Sequence, residues 1–283
     1  MDFERALLEQ EDDRNSILRV TRIDPDGADG LVAVLFNAYF DESGTHGKDV
    51  TVLTACVGTE REWVLFGYPW TVALEAQGLT AYHGRELGWK SRTNQEFVRI
   101  ATPIIQSGTS FSLTVALRNA DHTRYKKDAG AKQYHYSHYG LCFHIALAGI
   151  MDIVAKRFPD SSVSFVLSDG DPHAGDALRV FQSIKDGKIE GKPLLFGKNL
   201  GGIAFKSGLI PLQAADLICG VAYHDFLEGK FRSNNENRRP QHGFRVLLDD
   251  RWYAASRKGM AKVAEEKKRK WEAGSKRKAG NDS

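Results

Sequence analysis

Leu31-Val32-Ala33-Val34-Leu35-Phe36-Asn37-Ala38-Tyr39-Phe40-Asp41-Glu42-Ser43-Gly44 decides the fold. Residues 31–40 are β-branched, aliphatic or aromatic almost throughout, the composition of a strand buried on both faces. The run ends in a carboxylate pair and a Gly turn, and a second strand pattern resumes over Val50–Val57. The two form a hairpin or an adjacent pair with acid at its mouth. A strand delivering its last residue into a cleft is a rigid platform for a catalytic or metal-binding oxygen. Alternatively, Asp41 and Ser43 build an Asx or Ser turn into Gly44.

Working outward, residues 1–23 mix a few apolar residues with many charges and predict one or two short helices, followed by a turn at Asp24-Pro25-Asp26-Gly27. After the strand pair, Glu60–Gly78 predicts a helix interrupted near Pro69. Tyr82-His83-Gly84-Arg85-Glu86 puts an imidazole, a guanidinium and a carboxylate beside a Gly. This is either a loop aiming side chains into a site or a surface ion-pair cluster. Thr93–Gln106 has helical spacing, and Phe111–Leu117 alternates as a strand. Residues 118–138, rich in Tyr, His and Lys, predict a long exposed loop, whose composition would also suit base stacking and phosphate contact. Tyr139–Phe158 predicts the longest helix and Ser162–Ser168 a strand running into Asp169-Gly170-Asp171. The strand's alternation favours Asp169 over Asp171 as its delivered acid. A helix over Asp176–Asp186 and a strand over Gly197–Phe205 complete the core.

The totals limit the possible classes. A chain of 283 residues is expected to hold one large domain, or one domain with appendages. No apolar run approaches the roughly 20 residues that span a bilayer, and the charged N-terminus does not read as a signal peptide. Cys56, Cys142 and Cys219 sit in apolar segments without zinc-like spacing, so buried free thiols in a reducing cytoplasm are expected. The net charge of +3 is unevenly spread: residues 230–283 hold 16 Lys and Arg against 7 Asp and Glu, leaving 23 against 29 in the rest. That basic segment is either a phosphate-tracking arm or a solvated helix.

Ile210–His224 is apolar on nearly every side, with Pro211 in the first turn. At about 100° per residue, Gln213, Asp216, Gly220 and His224 fall within roughly a 90° sector. A buried ionised Asp costs several kcal/mol, roughly, unless it is paired or metal-bound. Asp216 therefore needs a partner: a basic side chain or backbone N–H, or a cation shared with Asp41 and Asp169. Three such carboxylates make an oxygen-only set suited to Mg²⁺ or Mn²⁺.

The Asp-Glu-Ser-Gly turn at 41–44, the His83–Glu86 segment, the strand ending at Asp169 and Gln213-Ala214-Ala215-Asp216 together resemble the family catalogued as domain of unknown function 3800. The resemblance spans about residues 36–228 and implies an RNase H-like, integrase-type nuclease fold. By that resemblance Asp41, Asp169 and Asp216 correspond to the acidic metal-binding set, with Glu86, Glu42 or Glu75 as the fourth acid.

The expectation is therefore an α/β protein with an RNase H-like mixed β-sheet flanked by helices. An N-terminal extension over 1–30, a core over 31–229 and a basic helical C-terminal extension over 230–283 make up the chain. The expected activity is phosphodiester hydrolysis in DNA or RNA with Mg²⁺ or Mn²⁺. Asp41, Asp169 and Asp216 are the metal ligands, Glu42 and Glu86 the further acids, and His83 or Arg85 the assisting groups. A noncatalytic nucleic-acid-binding or toxin-associated protein is the first alternative, and a metal-dependent phosphatase or nucleotide hydrolase the second.

Overall fold

Strand β1, Leu35–Ser43, lies at the centre of a mixed six-stranded sheet, as its two-sided burial requires. The computed structural model describes residues 34–44, 49–128, 136–169, 173–186, 200–233 and 243–255, with residues 258, 265 and 269. The expectations for residues 1–33, for Asp171 and for most of the basic tail lie outside the described residues.

The remaining strands are β2 (Val50–Thr59), β3 (Phe111–Arg118), β4 (Ser162–Ser168), β5 (Leu200–Lys206) and β6 (Gly243–Leu248). Their order across the sheet is β5-β4-β1-β2-β3-β6. β2 runs antiparallel to both β1 and β3, and the pairs β1–β4, β4–β5 and β3–β6 are parallel. β6 falls within the stretch after residue 230 and extends the sheet at the edge formed by β3.

Seven helices are described: α1 (Glu60–Ala76), α2 (Gly84–Leu87), α3 (Arg92–Gly108), α4 (Asn119–Asp128), α5 (His138–Arg157), α6 (Ala174–Lys185) and α7 (Ile210–Leu227). Strand alternation sends Phe36, Ala38 and Phe40 into one core cluster, closed by α5 and α6. It sends Tyr39 and Cys56 into a second cluster, closed by α1, α3 and α7. The sheet is thus covered on both faces, the solution open to an apolar central strand. By length and composition α5 could cross a membrane, but nine of its residues, among them Leu141, Phe143, Leu147 and Met151, are buried in the first cluster.

Two expectations are corrected. α1 is continuous through Pro69 rather than interrupted there. Pro69 is exposed, so the carbonyl of Leu65 that loses its helical donor lies on the solvent side. Residues 119–128 form α4 rather than an exposed loop: His122 and Tyr125, three positions apart, bury one face of a helix that is otherwise polar. The three cysteines are buried free thiols, as their apolar surroundings predict.

Side-chain caps set the helix starts. Thr59 and Glu62 form a reciprocal capping box at α1, Ser91 accepts from the N–H of Asn94 at α3, and Ser137 accepts from Gly140 at α5. α1 and α3 approach closely at Gly108, where a Cβ would stand 2.8 Å from a ring carbon of Phe66.

Candidate functional site

The sector of α7 that the helical wheel singles out is the face along which residues 82–90 run. The side-chain oxygen of Gln213 accepts from the backbone N–H of Tyr82 at 2.9 Å and from the indole N–H of Trp70 at 3.1 Å. One helical turn on, Oδ2 of Asp216 accepts from the backbone N–H of Gly84 at 3.0 Å. Two turns further, His224 stacks on Trp89, with ring centres 4.2 Å apart and planes within 4°. The spacing has a simple origin: an i, i+3 pair on a helix can accept from alternate N–H groups of an extended segment.

Aromatic packing fixes that segment from beneath. Tyr82 is fully buried, stacks on Phe97 of α3 at 5.0 Å and donates its hydroxyl to Asn94 at 3.1 Å. Gly84 is tightly placed: a Cβ there would lie 3.0 Å from the Tyr82 hydroxyl and 3.4 Å from Oδ1 of Asp216.

Asp41 comes from the opposite side. Its position on β1 pairs with Thr54, on the face that carries Tyr39 and packs against α7. Cys219 of α7 reaches the Val52 carbonyl and hydrogen bonds with Ser43 and Thr54, which seats the helix over this part of the sheet. Burial raises the Tyr82 hydroxyl well above its ordinary range, and the charges of Asp216 and Asp41 raise it further. Burial also pushes the Cys56 thiol up to about 12, with Asp41 adding to it. Asp41 and Asp216, from a central strand and a covering helix, therefore both bear on one buried phenol.

Asp216 is half-buried, and its carboxyl is raised above the ordinary range. Burial is the largest cause; the Gly84 N–H and the His83 charge oppose it, and the Glu86 charge adds to it. The buried acid has the partner its position demands, a backbone N–H, and still carries unrelieved negative charge from Glu86. His83, Arg85 and Glu86 are exposed around α2, so this segment presents its side chains outward and uses its backbone inward.

The other predicted acids lie elsewhere. Glu42 alternates onto the opposite face from Asp41, the side of Phe40 and α5, although its charge still reaches Cys219. Asp169 is exposed just past β4, with its backbone N–H bonded to the Lys206 carbonyl at 3.2 Å. Its side chain makes no hydrogen bond or ion pair with any described residue. Glu75 is exposed on α1. Among the described residues, no three His, Cys, Asp or Glu side chains are grouped as metal ligands. Asp41, Asp216 and Glu86 supply oxygen donors of the type a hard cation takes, and the carboxyl of Asp216 is raised by burial. Sequence reasoning missed Tyr82, Trp89 and the pairing role of Gln213. The signal for the last was its place three residues before Asp216 on one helix face.

The fold defines the class as an α/β protein with a mixed sheet covered on both faces. No protein-family model matches the chain, and no curated protein matches it.

Proposed function

We propose that the protein is a divalent-metal-dependent nuclease of RNase H-like architecture, acting on phosphodiester bonds in DNA or RNA. What supports this is that Asp41 on β1 and Asp216 on α7, two elements packed against one another, both raise the hydroxyl of Tyr82 by their charge. Asp41 lies toward the C-terminal end of the central strand, which runs parallel to β4, and ligands of parallel strands bind beyond that end. The resemblance of the Asp-Glu-Ser-Gly turn and the Gln-x-Ala-Asp helix to the domain of unknown function 3800 family supports the same reading.

Asp41 and Asp216 would hold Mg²⁺ or Mn²⁺, with Glu86 as the adjoining acid. Bound there, the ion supplies positive charge against the phosphate oxygens and makes water a stronger nucleophile. Gln213 and the Gly84 N–H keep the Asp216 carboxylate oriented. His83, exposed beside Asp216, is placed to exchange a proton with a substrate oxygen, and Arg85 to meet a phosphate. The basic segment after residue 256 would add sequence-independent backbone contacts.

The Gly84 bond to Asp216 also favours a second reading, in which Asp216 is a structural acceptor and the protein binds nucleic acid without cutting it. Purified protein incubated with single- and double-stranded DNA and RNA, in Mg²⁺, Mn²⁺ or EDTA, separates the two. Cleavage that EDTA stops and that Asp41→Asn and Asp216→Asn both abolish is expected. Binding without cleavage under every condition refutes the nuclease, and turnover of mononucleotides or phosphomonoesters alone points to a small-substrate hydrolase.

A further inference from the structure

A pair of histidines away from the acidic residues has the features of a ligand set. His122 on α4 is buried, 4% exposed, and His138 opens α5; their ring centres are 4.4 Å apart, with planes at 57°. Nε2 of each ring is shielded from solvent and has no hydrogen-bond partner among the described residues. Each ring is also hydrogen bonded to a backbone group, that of Tyr136 for His122 and that of Asn119 for His138. With Nε2 unpartnered, those bonds fall to Nδ1, which donates to the carbonyl. Each Nε2 is then a lone pair, and two lone pairs cannot satisfy one another. A buried acceptor left without a donor costs about 1–3 kcal/mol, so two such groups side by side call for a shared electrophile.

We propose that His122 and His138 form a site for a borderline divalent transition ion of the Ni²⁺, Cu²⁺ and Zn²⁺ group, through their Nε2 atoms, with water in the remaining positions. Metal-bound histidines characteristically donate their other ring nitrogen to a backbone carbonyl or carboxylate, which fixes tautomer and orientation. Imidazole donors select these ions over Mg²⁺ or Ca²⁺. The geometry agrees: a metal–nitrogen bond of about 2.1 Å puts the ion about 3.2 Å from each ring centre. Two rings at a right angle about the ion then stand about 4.5 Å apart, near the observed separation and suited to the tetragonal geometry of Cu²⁺ or Ni²⁺.

The protonation state fits as well. The His122 imidazole is pushed down to about 4, by burial first, then by His138 and Lys126, against the hydrogen bond to the Tyr136 backbone. His138 is lowered by burial, Lys126 and His173, against its bond to the Asn119 backbone. Both rings are neutral at pH 7, the form that ligates. Lys126, the nearby cation, is exposed and can turn to water.

The test uses untagged full-length protein stripped with chelator. Calorimetric titration with Ni²⁺ in excess Mg²⁺ is expected to give one site per chain. That site persists in Asp41→Asn and weakens at least about tenfold in His122→Gln and in His138→Gln. Cu²⁺ bound to the wild-type chain is expected to show electron-spin coupling to two imidazole nitrogens, a readout that does not depend on the variants folding. Absence of a stoichiometric site, Ni²⁺ affinity unchanged in both folded variants, or a Cu²⁺ spectrum from oxygen donors alone overturns the proposal. In each of those cases the two lone pairs are served by buried water.

Discussion

Gln213→Leu is the sharpest test of how the segment over α7 is held. The side-chain oxygen of Gln213 is the acceptor for two donors, the Trp70 indole and the Tyr82 N–H, and the residue is only 9% exposed. Leucine has nearly the same volume, so little cavity forms, but both donors lose their acceptor inside a buried aromatic cluster. Each orphaned donor costs about 1–3 kcal/mol, so the pair costs about 2–6 kcal/mol. For a chain of this size about 3 kcal/mol lowers Tm by about 6–12 °C. Urea unfolding followed by far-ultraviolet circular dichroism measures the loss directly, with the m-value checking that both chains unfold to the same extent. The same substitution frees Tyr82 and with it Gly84, so amide exchange over residues 80–90 should quicken ahead of the rest of the chain. A loss below about 0.5 kcal/mol, the level of an ordinary surface change, would refute the claim that Gln213 ties α1, the 82–84 segment and α7 together.

Gly44→Ala should be strongly destabilising, by about 2–4 kcal/mol: φ is +81° and a Cβ would stand 2.0 Å from the Val50 carbonyl oxygen. Chemical denaturation reads it, and a neutral result would mean the end of β1 is not fixed as described. For Asp216 the sign follows from a folded-state pKa above the ordinary carboxylate value, 3.8. The folded chain holds the extra proton, so this residue's stabilising contribution is complete below that value and is lost as pH rises through the raised one. Asp216→Asn keeps an acceptor for Gly84 and removes the charge. Its stability relative to wild type, measured in chelator across a pH series, should therefore improve as pH rises and then level off, and a decline would contradict the buried-acid account. For the basic segment, truncation should begin after Ala255, because Tyr253 is buried and stacks on Tyr125 at 3.7 Å. Removing 256–283 should flatten the dependence of log K on log salt for nucleic-acid binding, and an unchanged slope would make the segment a bystander.

The parts legible in the sequence are those where burial writes its own pattern. β1 is apolar on both faces because helices cover both faces, and α7 is apolar all round because it packs on the sheet on one side and is strapped on another. α4 was not legible, since only His122 and Tyr125 are buried among charged residues and no stripe emerges. β6 sits in a basic stretch, and its Phe244, Val246 and Leu248 alternation is short. At the site, the buried charge of Asp216 announced the need for a partner, but not which one. That choice belongs to the tertiary structure: a backbone N–H contributed from 132 positions away. Likewise, His83, Arg85 and Glu86 catch the eye by their chemistry, whereas their segment is docked by the rings of Tyr82 and Trp89 and by two backbone N–H groups, and the latter no side-chain motif can reveal.

The position of β6 has a consequence for synthesis of the chain. Ser112 pairs with Gly243, so one edge of β3 has no neighbour until well over a hundred further residues have left the ribosome. A nascent chain that already holds β1, β2 and β3 thus displays an open row of amides and carbonyls, the template on which strands of other molecules add. The last strand acts as a late seal. Chains stopped short of residue 243 should collect as aggregates even though they contain every acid of the candidate site.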